Sequence, residues 1–481
     1  MADKPRYPDL GRLLIGGEWV ATSVQRDILS PWDGTLAGRV QVGGAAEIDA
    51  AILSAVAAFE TTRLLPRHQR STICRRISET IQDRREEFSE LITFESGKPI
   101  QFSRAEVSRA VSTFAIAAEE ANRIGGEVVP LDIVASGEGF AGVALRFPLG
   151  PVAAITPFNF PLNLVAHKVA PALAAGNSVV LKPAPQAPLT SLLLAQVVLA
   201  AGAPPGYLNV VMADPSHAET LVRDERIRLV SFTGSARVGW HLKDIAGKKK
   251  VVLELGGNAA AVIHEDADLD WAVKRCVIGS FANAGQVCIK VQRLLVHRPI
   301  HKPFIERFIA ATRAVKVGDP MDPETVAGPL IDEISAARVE SWIAEARSTG
   351  AKILTGGQRQ GTVMEPTVIE GAADGLKVSC EEVFGPVTIV EPYDDFETAL
   401  DRVNASRYGL QAGVFTYDIR RINAAVQKLN VGGVIINDSP MFRVDNFPYG
   451  GVKDSGFGRE GVRHAIEDMT ELKMVALNLQ K

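Results

Sequence analysis

The chain has 481 residues, 46% of them hydrophobic, and its 52 Lys and Arg against 56 Asp and Glu leave a formal net charge of −4. A chain of this length is too long to fold around one hydrophobic core, so we expect two or three domains. The composition is close to that of soluble globular proteins, which excludes the disordered and fibrous classes. The balanced charge argues against nucleic-acid binding. Apolar runs stay well short of the ~18 residues of a membrane span and residues 1–5 lack a signal-peptide core, so we expect a cytoplasmic protein without membrane contact.

The first predicted elements are helices, because apolar residues recur at helical spacing over residues 45–59, 67–91 and about 103–123. Residues 150–256 then alternate short apolar runs with helical stretches at a regular interval. The five strands predicted there are 152–155, 178–181, 208–211, 228–232 and 251–255, and the four helices between them are 162–175, 189–201, 216–223 and 235–245.

A second alternation of strands and helices follows. Its predicted elements are 259–263, 268–281, 291–296, 302–315 and 331–348. Strands that alternate with helices form parallel sheets with right-handed crossovers, and the doubly wound form of this architecture binds nucleotides at the carboxyl ends of its strands. The sequence therefore predicts an α/β protein with one doubly wound parallel sheet and a second α/β domain.

Cysteine and histidine usage argues against disulfides and against a catalytic metal. The four cysteines show no C-x-x-C spacing and are too few to staple a chain of this size. His297 and His301 have a metal-like spacing, but Pro299 between them argues against a shared helical face. We therefore interpret residues 297–301 as a loop between a strand and a helix.

Cys288 and Glu254 are the two candidate reactive groups. Cys288 follows small and polar residues in a predicted loop, where backbone N–H groups can stabilise the nucleophilic thiolate. Glu254 ends an apolar strand directly before two glycines, which would let a ligand approach closely. Taken alone, Cys288 is better interpreted as a buried structural thiol, and Glu254 is equally well a solvated strand end.

Two turns near the predicted strand ends add polar groups. Asn159 lies among apolar residues after the first strand, where its amide is either a turn former or a donor to an oxyanion. Gly234 and Ser235 open the helix after the fourth strand, and free N–H groups at such a helix start suit a pyrophosphate. By contrast, residues 456–461 match the dinucleotide fingerprint by letter but leave no room for a βαβ unit.

Together, and in this order, these segments resemble the aldehyde dehydrogenase superfamily over essentially the whole chain. Residues 181–183 (Leu-Lys-Pro), 381–386 (Glu-Glu-Val-Phe-Gly-Pro) and 448–456 (Pro-Tyr-Gly-Gly-Val-Lys-Asp-Ser-Gly) carry the same resemblance. It implies a dinucleotide-binding domain over 1–125 and 147–253, a catalytic domain over 254–455, a β oligomerisation arm over 126–146 and a C-terminal tail over 456–481. It also implies a homodimer or homotetramer, assembled through residues 126–145 and 473–479.

The resemblance further implies oxidation of an aldehyde to its acid with hydride transfer to NAD or NADP, through a thiohemiacetal and then a thioester. The implied catalytic residues are Cys288 as nucleophile, Glu254 as base for the hydrolytic water, Asn159 with the Cys288 N–H as oxyanion hole, and Lys168 with Glu460 as a proton relay. The implied cofactor contacts are Lys182 and Glu382 at the riboses, Gly234 and Ser235 at the pyrophosphate and Phe384 at the nicotinamide, with Thr156 and Pro185 as further cofactor-binding positions.

One departure from the family pattern concerns the cofactor. Many NAD-preferring members carry a glutamate three residues after the lysine, where it binds the adenosine ribose and repels a 2′-phosphate. This chain has Pro185 at that position. Because the repulsive group is absent, we expect NADP to be tolerated, and the choice between the two cofactors stays open.

Other departures concern the substrate. Arg109 and Arg443 resemble positions used by relatives that oxidise small anionic aldehydes, and an arginine fork matches a carboxylate or phosphate. The alternative is that either arginine forms a surface or interdomain ion pair. Val287 stands where some phosphate-recognising relatives carry arginine, and Lys290, a third candidate substrate contact, stands where a small hydroxyl residue is common.

The segments around Asn159 and Arg443 are similar to those of lactaldehyde and phosphonoacetaldehyde dehydrogenase-like members, which predicts a short hydroxy- or acid-bearing aldehyde. Within the same mechanism, the alternatives are a semialdehyde or an aromatic aldehyde. From another class, the alternative is a catalytically silent binding or structural homologue. That alternative predicts the loss of Cys288, Glu254, Asn159 or Lys182, all of which are present.

Overall fold

The structure is a computed structural model that describes residues 5–479. Two short segments lie outside this range. They are residues 1–4, which belong to the segment expected to lack a signal-peptide core, and residues 480–481 of the predicted tail. None of the described helices is long and apolar enough to cross a membrane. The helices are Ala45–Thr62, Arg67–Asp83, Arg85–Ser96, Ile100–Arg123, Asn163–Ala175, Leu189–Ala200, Pro215–Arg223, Ala236–Ile245, Leu269–Phe281, Arg298–Arg313, Glu333–Ser348, Lys377–Cys380, Phe396–Asn404, Ile419–Lys428 and Val462–Asp468, with 3-10 turns at Ala135–Gly137 and Ala282–Gly285.

The predicted doubly wound sheet has eight strands, and its five central strands are parallel. Antiparallel strands extend both edges of this sheet, and one of them, Gly456–Phe457, comes from the end of the chain. The predicted strands and helices between residues 150 and 256 are confirmed, with ends that differ by at most one residue. In spatial order the strands are Glu18–Val20, Leu13–Ile15, Leu208–Val210, Val179–Lys182, Val152–Ile155, Leu229–Thr233, Lys250–Glu254 and Gly456–Phe457.

The position of a binding cleft follows from this strand order. Val152–Ile155 comes first in the chain and lies between the second and fourth of the central strands, so the strand order reverses beside it. Ligands of doubly wound sheets bind at such a reversal, outside the carboxyl ends of the strands. The loops that begin at Thr156 and Gly234 leave the sheet at this point.

The second sheet is the core of the predicted second α/β domain and has seven strands. Every pair of neighbours is parallel except the first, which is antiparallel. Only two of these strands, Ala260–Ile263 and Arg293–His297, were predicted from the sequence. In spatial order the strands are Lys352–Thr355, Thr367–Glu370, Val387–Tyr393, Arg293–His297, Ala260–Ile263, Gln411–Phe415 and Gly433–Ile436.

Residues of the segment predicted to be an arm form a three-stranded antiparallel sheet with a strand from the end of the chain. Its strands lie in the order Thr470–Asn478, Phe140–Pro148 and Gly126–Val129. Short two-stranded sheets complete the fold: Val24–Leu29 with Leu36–Val42, Arg359–Gln360 with Val363–Met364, and Tyr408–Gly409 with Val452–Lys453.

Two local predictions were wrong. The helix predicted over residues 67–91 is two helices that meet at Arg84, whose φ and ψ of −98° and 23° break the helical path. The periodicity did not reveal this break, since Ile81 before it and Phe88 after it are both fully buried. The segment between His297 and His301, predicted to be a loop, is the first turn of the helix Arg298–Arg313. Proline is tolerated at Pro299 because the backbone N–H that it lacks would have no acceptor within the helix at this position.

Candidate active site

Cys288 lies in a tight loop between a helix and a strand, as predicted. The backbone enters this loop through Asn283 and Ala284, whose φ angles of 53° and 52° are left-handed. Gly285 follows at φ +68°, and a Cβ there would lie 2.2 Å from the carbonyl oxygen of Gly385, so only glycine fits. Left-handed non-glycine residues cost about 1–3 kcal/mol each and are typical of functional loops. The strained backbone therefore holds the thiol in a fixed position.

The Cys288 thiol is surrounded by apolar groups and one phenol. Its Sγ lies 3.1 Å from the hydroxyl oxygen of Tyr449. Burial raises the pKa of Cys288 to about 11, against which the hydrogen bond to Tyr449 and the charge of Arg443 act. At neutral pH the resting group is therefore the thiol, and its ionisation requires a base or a nearby positive charge.

Asn159 packs against the loop that carries the thiol. It is buried, and its Nδ2 donates a hydrogen bond to the backbone carbonyl of Gln286 at 3.0 Å. This bond uses one of the two N–H donors of the amide and fixes its direction. The second N–H remains for an oxygen atom bound beside Cys288, because Asn159 and Cys288 line the same cleft.

Glu254 ends the strand Lys250–Glu254 and is 3% exposed, yet neither carboxylate oxygen has a hydrogen-bond partner among the described residues. An unpaired buried carboxylate is costly and often marks a group whose partner is a substrate or a water molecule. Burial, and then the charge of Glu460, raise the pKa of Glu254 well above its ordinary value. A carboxylate in this state is a suitable general base near neutral pH.

A buried network of charges lies beside Glu254. Glu460 accepts hydrogen bonds from Lys168 Nζ and Arg443 Nη2, each at 3.0 Å, and Lys168 also lies 3.2 Å from Ser231 Oγ. Burial alone would raise the pKa of Glu460, but Lys168, His167 and Arg443 outweigh it and lower the pKa to about 2. Glu460 is therefore ionised at neutral pH. The structure thus brings Lys168 and Glu460, the two residues of the predicted relay, close to Glu254.

A cleft of about 330 Å³ opens at the carboxyl ends of the first sheet, where the strand order reverses. Ser235 is the N-cap of the helix Ala236–Ile245, so free N–H groups face this cleft. A Cβ at Gly256 would lie 2.2 Å from the Glu382 carboxylate, which shows how closely the chain surrounds the space. The cleft is lined by Pro157, Phe158, Asn159, Leu164, Thr233, Gly234, Ser235, Glu254, Leu255, Gly256, Cys288, Arg338, Glu382 and Phe384.

Several groups in this cleft fit a dinucleotide. The hydroxyl of Thr233 is buried and has no hydrogen-bond partner among the described residues. Glu382 accepts a hydrogen bond from the N–H of Gly257 at 3.1 Å, and burial raises its pKa to about 7. Phe384 has a φ of 45° and meets the ring of Phe158 edge-to-face, with centroids 6.0 Å apart. These residues offer a ribose acceptor, a free hydroxyl and an aromatic wall.

Lys182 lies at the end of the neighbouring strand and is also poorly partnered. Its ammonium donates one long hydrogen bond, 3.3 Å, to the carbonyl of Pro183, and burial lowers its pKa to about 8. Arg26 and Asp214 form an ion pair of 2.7 Å whose charges act on Lys182. Pro185, three residues after Lys182, is half-buried, and its side chain offers no acceptor. Of the remaining predicted cofactor contacts, Thr156 has a buried hydroxyl without a partner in the described chain.

A second cavity, of about 210 Å³, lies on the other side of Cys288. Apolar side chains form most of its wall, and Lys98, Arg109 and Arg443 supply positive charge. The full lining is Lys98, Phe102, Ala105, Glu106, Arg109, Phe160, Asn163, Leu164, Ala282, Asn283, Val287, Cys288, Ile289, Met441, Arg443 and Tyr449. Cys288 therefore lies at the junction of the cleft and the cavity.

The three predicted substrate contacts have different surroundings. Arg109 forms a forked ion pair with Asp445, with a closest approach of 2.6 Å, and its side chain is 27% exposed. Arg443 is paired with Glu460 and is only 6% exposed. Lys290 does not line the cavity: its Nζ donates to the carbonyl of Val387 at 2.6 Å, away from the thiol. The structure thus brings Arg109 and Arg443, but not Lys290, to the cavity.

Sequence reasoning missed several residues of this site. Lys98 pairs with Glu106 in a buried ion pair, and its ammonium lies 3.6 Å from the centre of the Phe160 ring. His167 and Asp445 lie 2.9 Å apart beneath Arg109. One signal was available for Glu106, since a carboxylate at core spacing on the helix Ile100–Arg123 requires a buried partner. No comparable signal marks Lys98, which precedes that helix.

One group in the described chain could present three metal ligands: His264, Glu265 and His297, whose ligand atoms lie within 4.8 Å of one another. The two imidazole rings are stacked, with centroids 4.2 Å apart and planes inclined by 16°. The nitrogen lone pairs of two stacked rings lie in nearly parallel planes and do not converge, so the two nitrogens cannot coordinate the same ion in this arrangement. The group is therefore better described as ring packing around Tyr393.

The model of the aldehyde dehydrogenase family matches residues 19–475. A 3-sulfolactaldehyde dehydrogenase of Priestia megaterium is 43% identical over 468 residues, which are 97% of this chain and 98% of the relative. The crystal structure of aldehyde dehydrogenase 21 from Physcomitrella patens with the product succinate has a TM-score of 0.96 at 42% identity, covering 98% of this chain and 99% of that one. A glyceraldehyde-3-phosphate dehydrogenase from Methanocaldococcus jannaschii complexed with NADP has a TM-score of 0.91 at 37% identity, covering 95% and 100%.

Proposed function

The chain belongs to the aldehyde dehydrogenase family and is an NAD(P)-dependent aldehyde dehydrogenase, and from this premise we propose that Cys288 is its nucleophile and a short, acid- or hydroxy-bearing aldehyde its substrate. The observation that carries the proposal is the position of Cys288, which lines both the cofactor cleft and the smaller cavity. A reacting carbon bound to its sulfur lies between the two spaces. An aldehyde entering from the cavity would then lie between the thiol and a dinucleotide held by the residues of the cleft.

In the first half of the reaction, the Cys288 thiol loses its proton to solvent water, the thiolate sulfur forms a bond to the aldehyde carbon, and the carbonyl electron pair moves onto the oxygen. The free N–H of Asn159 and the Cys288 backbone N–H stabilise that oxygen. When bound, the dinucleotide supplies the acceptor for the hydride that the carbon loses. The carbon is thereby oxidised, and Cys288 carries a thioester.

In the second half, Glu254 removes a proton from a water molecule, which attacks the thioester carbon. The C–S bond breaks, the acid is released and the sulfur leaves as thiolate. Two properties of Glu254 support its role as the general base: its carboxylate has no hydrogen-bond partner among the described residues, and its pKa is raised. Lys168 and Glu460, adjacent and buried, form the proposed relay for that proton.

The residues that would hold the dinucleotide follow from the cleft. We place the riboses at Lys182 and Glu382, the pyrophosphate at Gly234 and Ser235, and the nicotinamide beside Phe384. Thr156 and Pro185 complete the adenosine end.

NADP acceptance is the finer proposal about the cofactor. Pro185 brings no carboxylate to the adenosine ribose, Lys182 has an ammonium in need of acceptors, and Arg26 adds a second cation near it. A 2′-phosphate would supply acceptors to both.

The dimensions and charges of the cavity support the substrate class. A volume of about 210 Å³ is smaller than the ~300–1,000 Å³ of pockets for drug-sized ligands, which favours a small aldehyde. Arg109 is the better placed of the two arginines for an anionic tail, because it is more exposed and its Nη1 makes no hydrogen bond to Asp445. The relative from Priestia megaterium is named for a substrate, sulfolactaldehyde, that is both short and anionic.

Assembly through the arm is part of the proposal. Residues 126–146 and 456–481 would form the arm and tail beside the dinucleotide-binding segments 1–125 and 147–253 and the catalytic segment 254–455. The strands at the two edges of the arm sheet expose apolar side chains, with Val128 at 82% and Leu472 at 54% exposure. An open edge with apolar side chains is satisfied by a second copy of the chain, which supports a homodimer or homotetramer.

A panel of aldehydes tests the proposed function. Short anionic, short neutral and aromatic aldehydes are mixed with the enzyme and either NAD or NADP, and the absorbance of reduced nicotinamide is followed. We expect the highest kcat/KM for a short acid-bearing aldehyde, and no turnover with Cys288→Ala. Turnover in Cys288→Ala, or an aromatic aldehyde as the best substrate, would contradict the proposal.

A further inference from the structure

Tyr449 contacts the sulfur of Cys288 but has no part in the scheme above. It is 3% exposed, and its hydroxyl oxygen lies 3.1 Å from Sγ. Its backbone is held on both sides by Glu460, through N–H to O=C bonds of 3.0 Å and 2.6 Å. The phenol is therefore a fixed polar group in an otherwise apolar wall that includes Val287, Ile289 and Leu410.

Arg443 lies over the ring of this phenol. Its guanidinium carbon is 3.6 Å from the centre of the Tyr449 ring, and its Nη2 donates to Glu460 at 3.0 Å. A cation over an aromatic face attracts the ring electrons, which makes the attached O–H a stronger donor. The same Glu460 thus anchors both the backbone of Tyr449 and the guanidinium stacked upon it.

The protonation of the phenol agrees with a donor role. Burial, then the neighbouring thiol, raise the pKa of Tyr449 well above its ordinary value, so the hydroxyl keeps its proton when the thiol ionises. The other charged groups that act on Cys288 are Glu254 and Glu382, and both raise its pKa. The hydrogen bond of Tyr449 and the charge of Arg443 lower that pKa.

We propose that Tyr449 is a positioning residue for the nucleophile: its hydroxyl donates a hydrogen bond to the Cys288 thiolate, and Arg443, stacked on its ring, strengthens that bond. This inference rests on the proposed role of Cys288 as nucleophile. It gives Arg443 a task different from the substrate contact predicted from the sequence. The cation acts through the ring, while Arg109 remains the candidate for the substrate's anionic tail.

Alkylation of Cys288 without aldehyde or cofactor tests this directly. The rate of reaction with iodoacetamide is measured as a function of pH, and peptide mass spectrometry separates Cys288 from the other cysteines. Below the pKa of the thiol, the rate is proportional to the thiolate fraction. Tyr449→Phe keeps the ring and removes the hydroxyl that donates to the thiolate. The loss of one hydrogen bond to a charged group raises the pKa of the thiol by about one unit, so the alkylation rate should be about tenfold lower.

Tyr393→Phe is the matched control, since it also removes the hydroxyl of a buried tyrosine, here one bonded to His264. We expect it to leave the alkylation of Cys288 unchanged. An unchanged rate in Tyr449→Phe, or an equal loss in both variants, would overturn the proposal. Since the assay uses no substrate, this outcome is distinct from failure of the proposed function, which the Cys288→Ala turnover measurement reports.

Arg443→Met supplies a second, independent variant if Tyr449→Phe does not fold. With Tyr449 intact, the loss of the cation should lower the alkylation rate several-fold, and the double variant should lose less than the product of the two single losses, because one group acts through the other. In turnover, Arg443→Met should lower kcat/KM for anionic and neutral aldehydes alike. A loss confined to anionic aldehydes, with alkylation unchanged, would return Arg443 to the role of substrate contact.

Discussion

Replacement of Glu460 by glutamine tests the buried charge network beside the proposed base. Glu460 lies 3.0 Å from both Lys168 and Arg443, and the three side chains are 2%, 0% and 6% exposed. Glutamine keeps the size of the side chain but leaves two buried cations without their counter-ion. Breaking a buried pair in this way costs about 3–5 kcal/mol of folding free energy, so the midpoint of unfolding in urea should fall clearly.

The same change should shift the pH dependence of thioester hydrolysis. The charge of Glu460 raises the pKa of Glu254, while Lys168 and Arg443 lower it. Without Glu460, the pKa of Glu254 falls. A general base acts when deprotonated, so the hydrolysis rate, which rises with pH as Glu254 ionises, should reach its plateau at lower pH in Glu460→Gln than in the wild type.

Single-turnover hydrolysis of the acyl-enzyme across a pH series measures this shift. Glu106→Gln is the matched control, because Glu106 is the other fully buried carboxylate with a buried ammonium partner, Lys98. It should lose comparable stability and keep the wild-type pH profile. A Glu460→Gln profile that stays in place or moves to higher pH would refute the reasoning about Glu254.

Three further predictions concern substrate, cofactor and assembly. Arg109→Met should lower kcat/KM for an anionic aldehyde by an amount equivalent to about 1.5–3 kcal/mol of transition-state stabilisation, and should lower it much less for a neutral aldehyde. The control Arg104→Met, at an exposed arginine of the same helix paired with Glu86, should change neither value. Equal losses on both substrates would make Arg109 structural. Pro185→Glu should raise KM for NADP more than for NAD through repulsion of the 2′-phosphate, and equal changes would place that phosphate elsewhere. Light scattering should show an oligomer that Leu472→Lys with Met474→Lys reduces in size, whereas a monomeric wild type would contradict the role of the arm.

Much of the first sheet was predictable from the sequence because its elements are regular. A strand buried on both faces, such as Val152–Ile155, is a continuous apolar run, and each following helix is bounded by turn residues. Cys288, Glu254 and Asn159 were candidates because they stand at strand ends and in loops, where a parallel fold gathers its functional groups, but their roles came from the family resemblance. Their mutual distances came only with the fold.

Other features depend on contacts that no local pattern reveals. The short N-terminal strand Leu13–Ile15 exists because it pairs with both Glu18–Val20 and Leu208–Val210, and three residues carry too little periodicity to predict this. Lys290 was a candidate substrate contact because it stands where a small hydroxyl residue is common in the family, but the chain turns between Val287 and Lys290. Its ammonium is consequently buried against Val387, and burial lowers its pKa to about 7.

The stacking of Arg443 on Tyr449 illustrates the same limit. Both residues stand in or beside recognisable segments, but the sequence gives no sign that one lies 3.6 Å above the ring of the other. The ion pair that holds Arg443 joins it to a residue seventeen positions later, Glu460. Long-range ion pairs of this kind decide whether an arginine meets the substrate or the protein.

Glu254→Gln tests most directly the claim that Cys288 carries an acyl group that Glu254 releases. Enzyme, aldehyde and NAD(P) are mixed rapidly, reduced nicotinamide is followed by absorbance, and the quenched protein is digested for mass spectrometry. We predict a burst of one reduced cofactor per active site, then a stall, with the mass of the acyl group on the peptide that contains Cys288. Steady-state turnover at the wild-type rate with an unmodified Cys288 peptide would contradict the thioester on Cys288 and the role of Glu254 as its base.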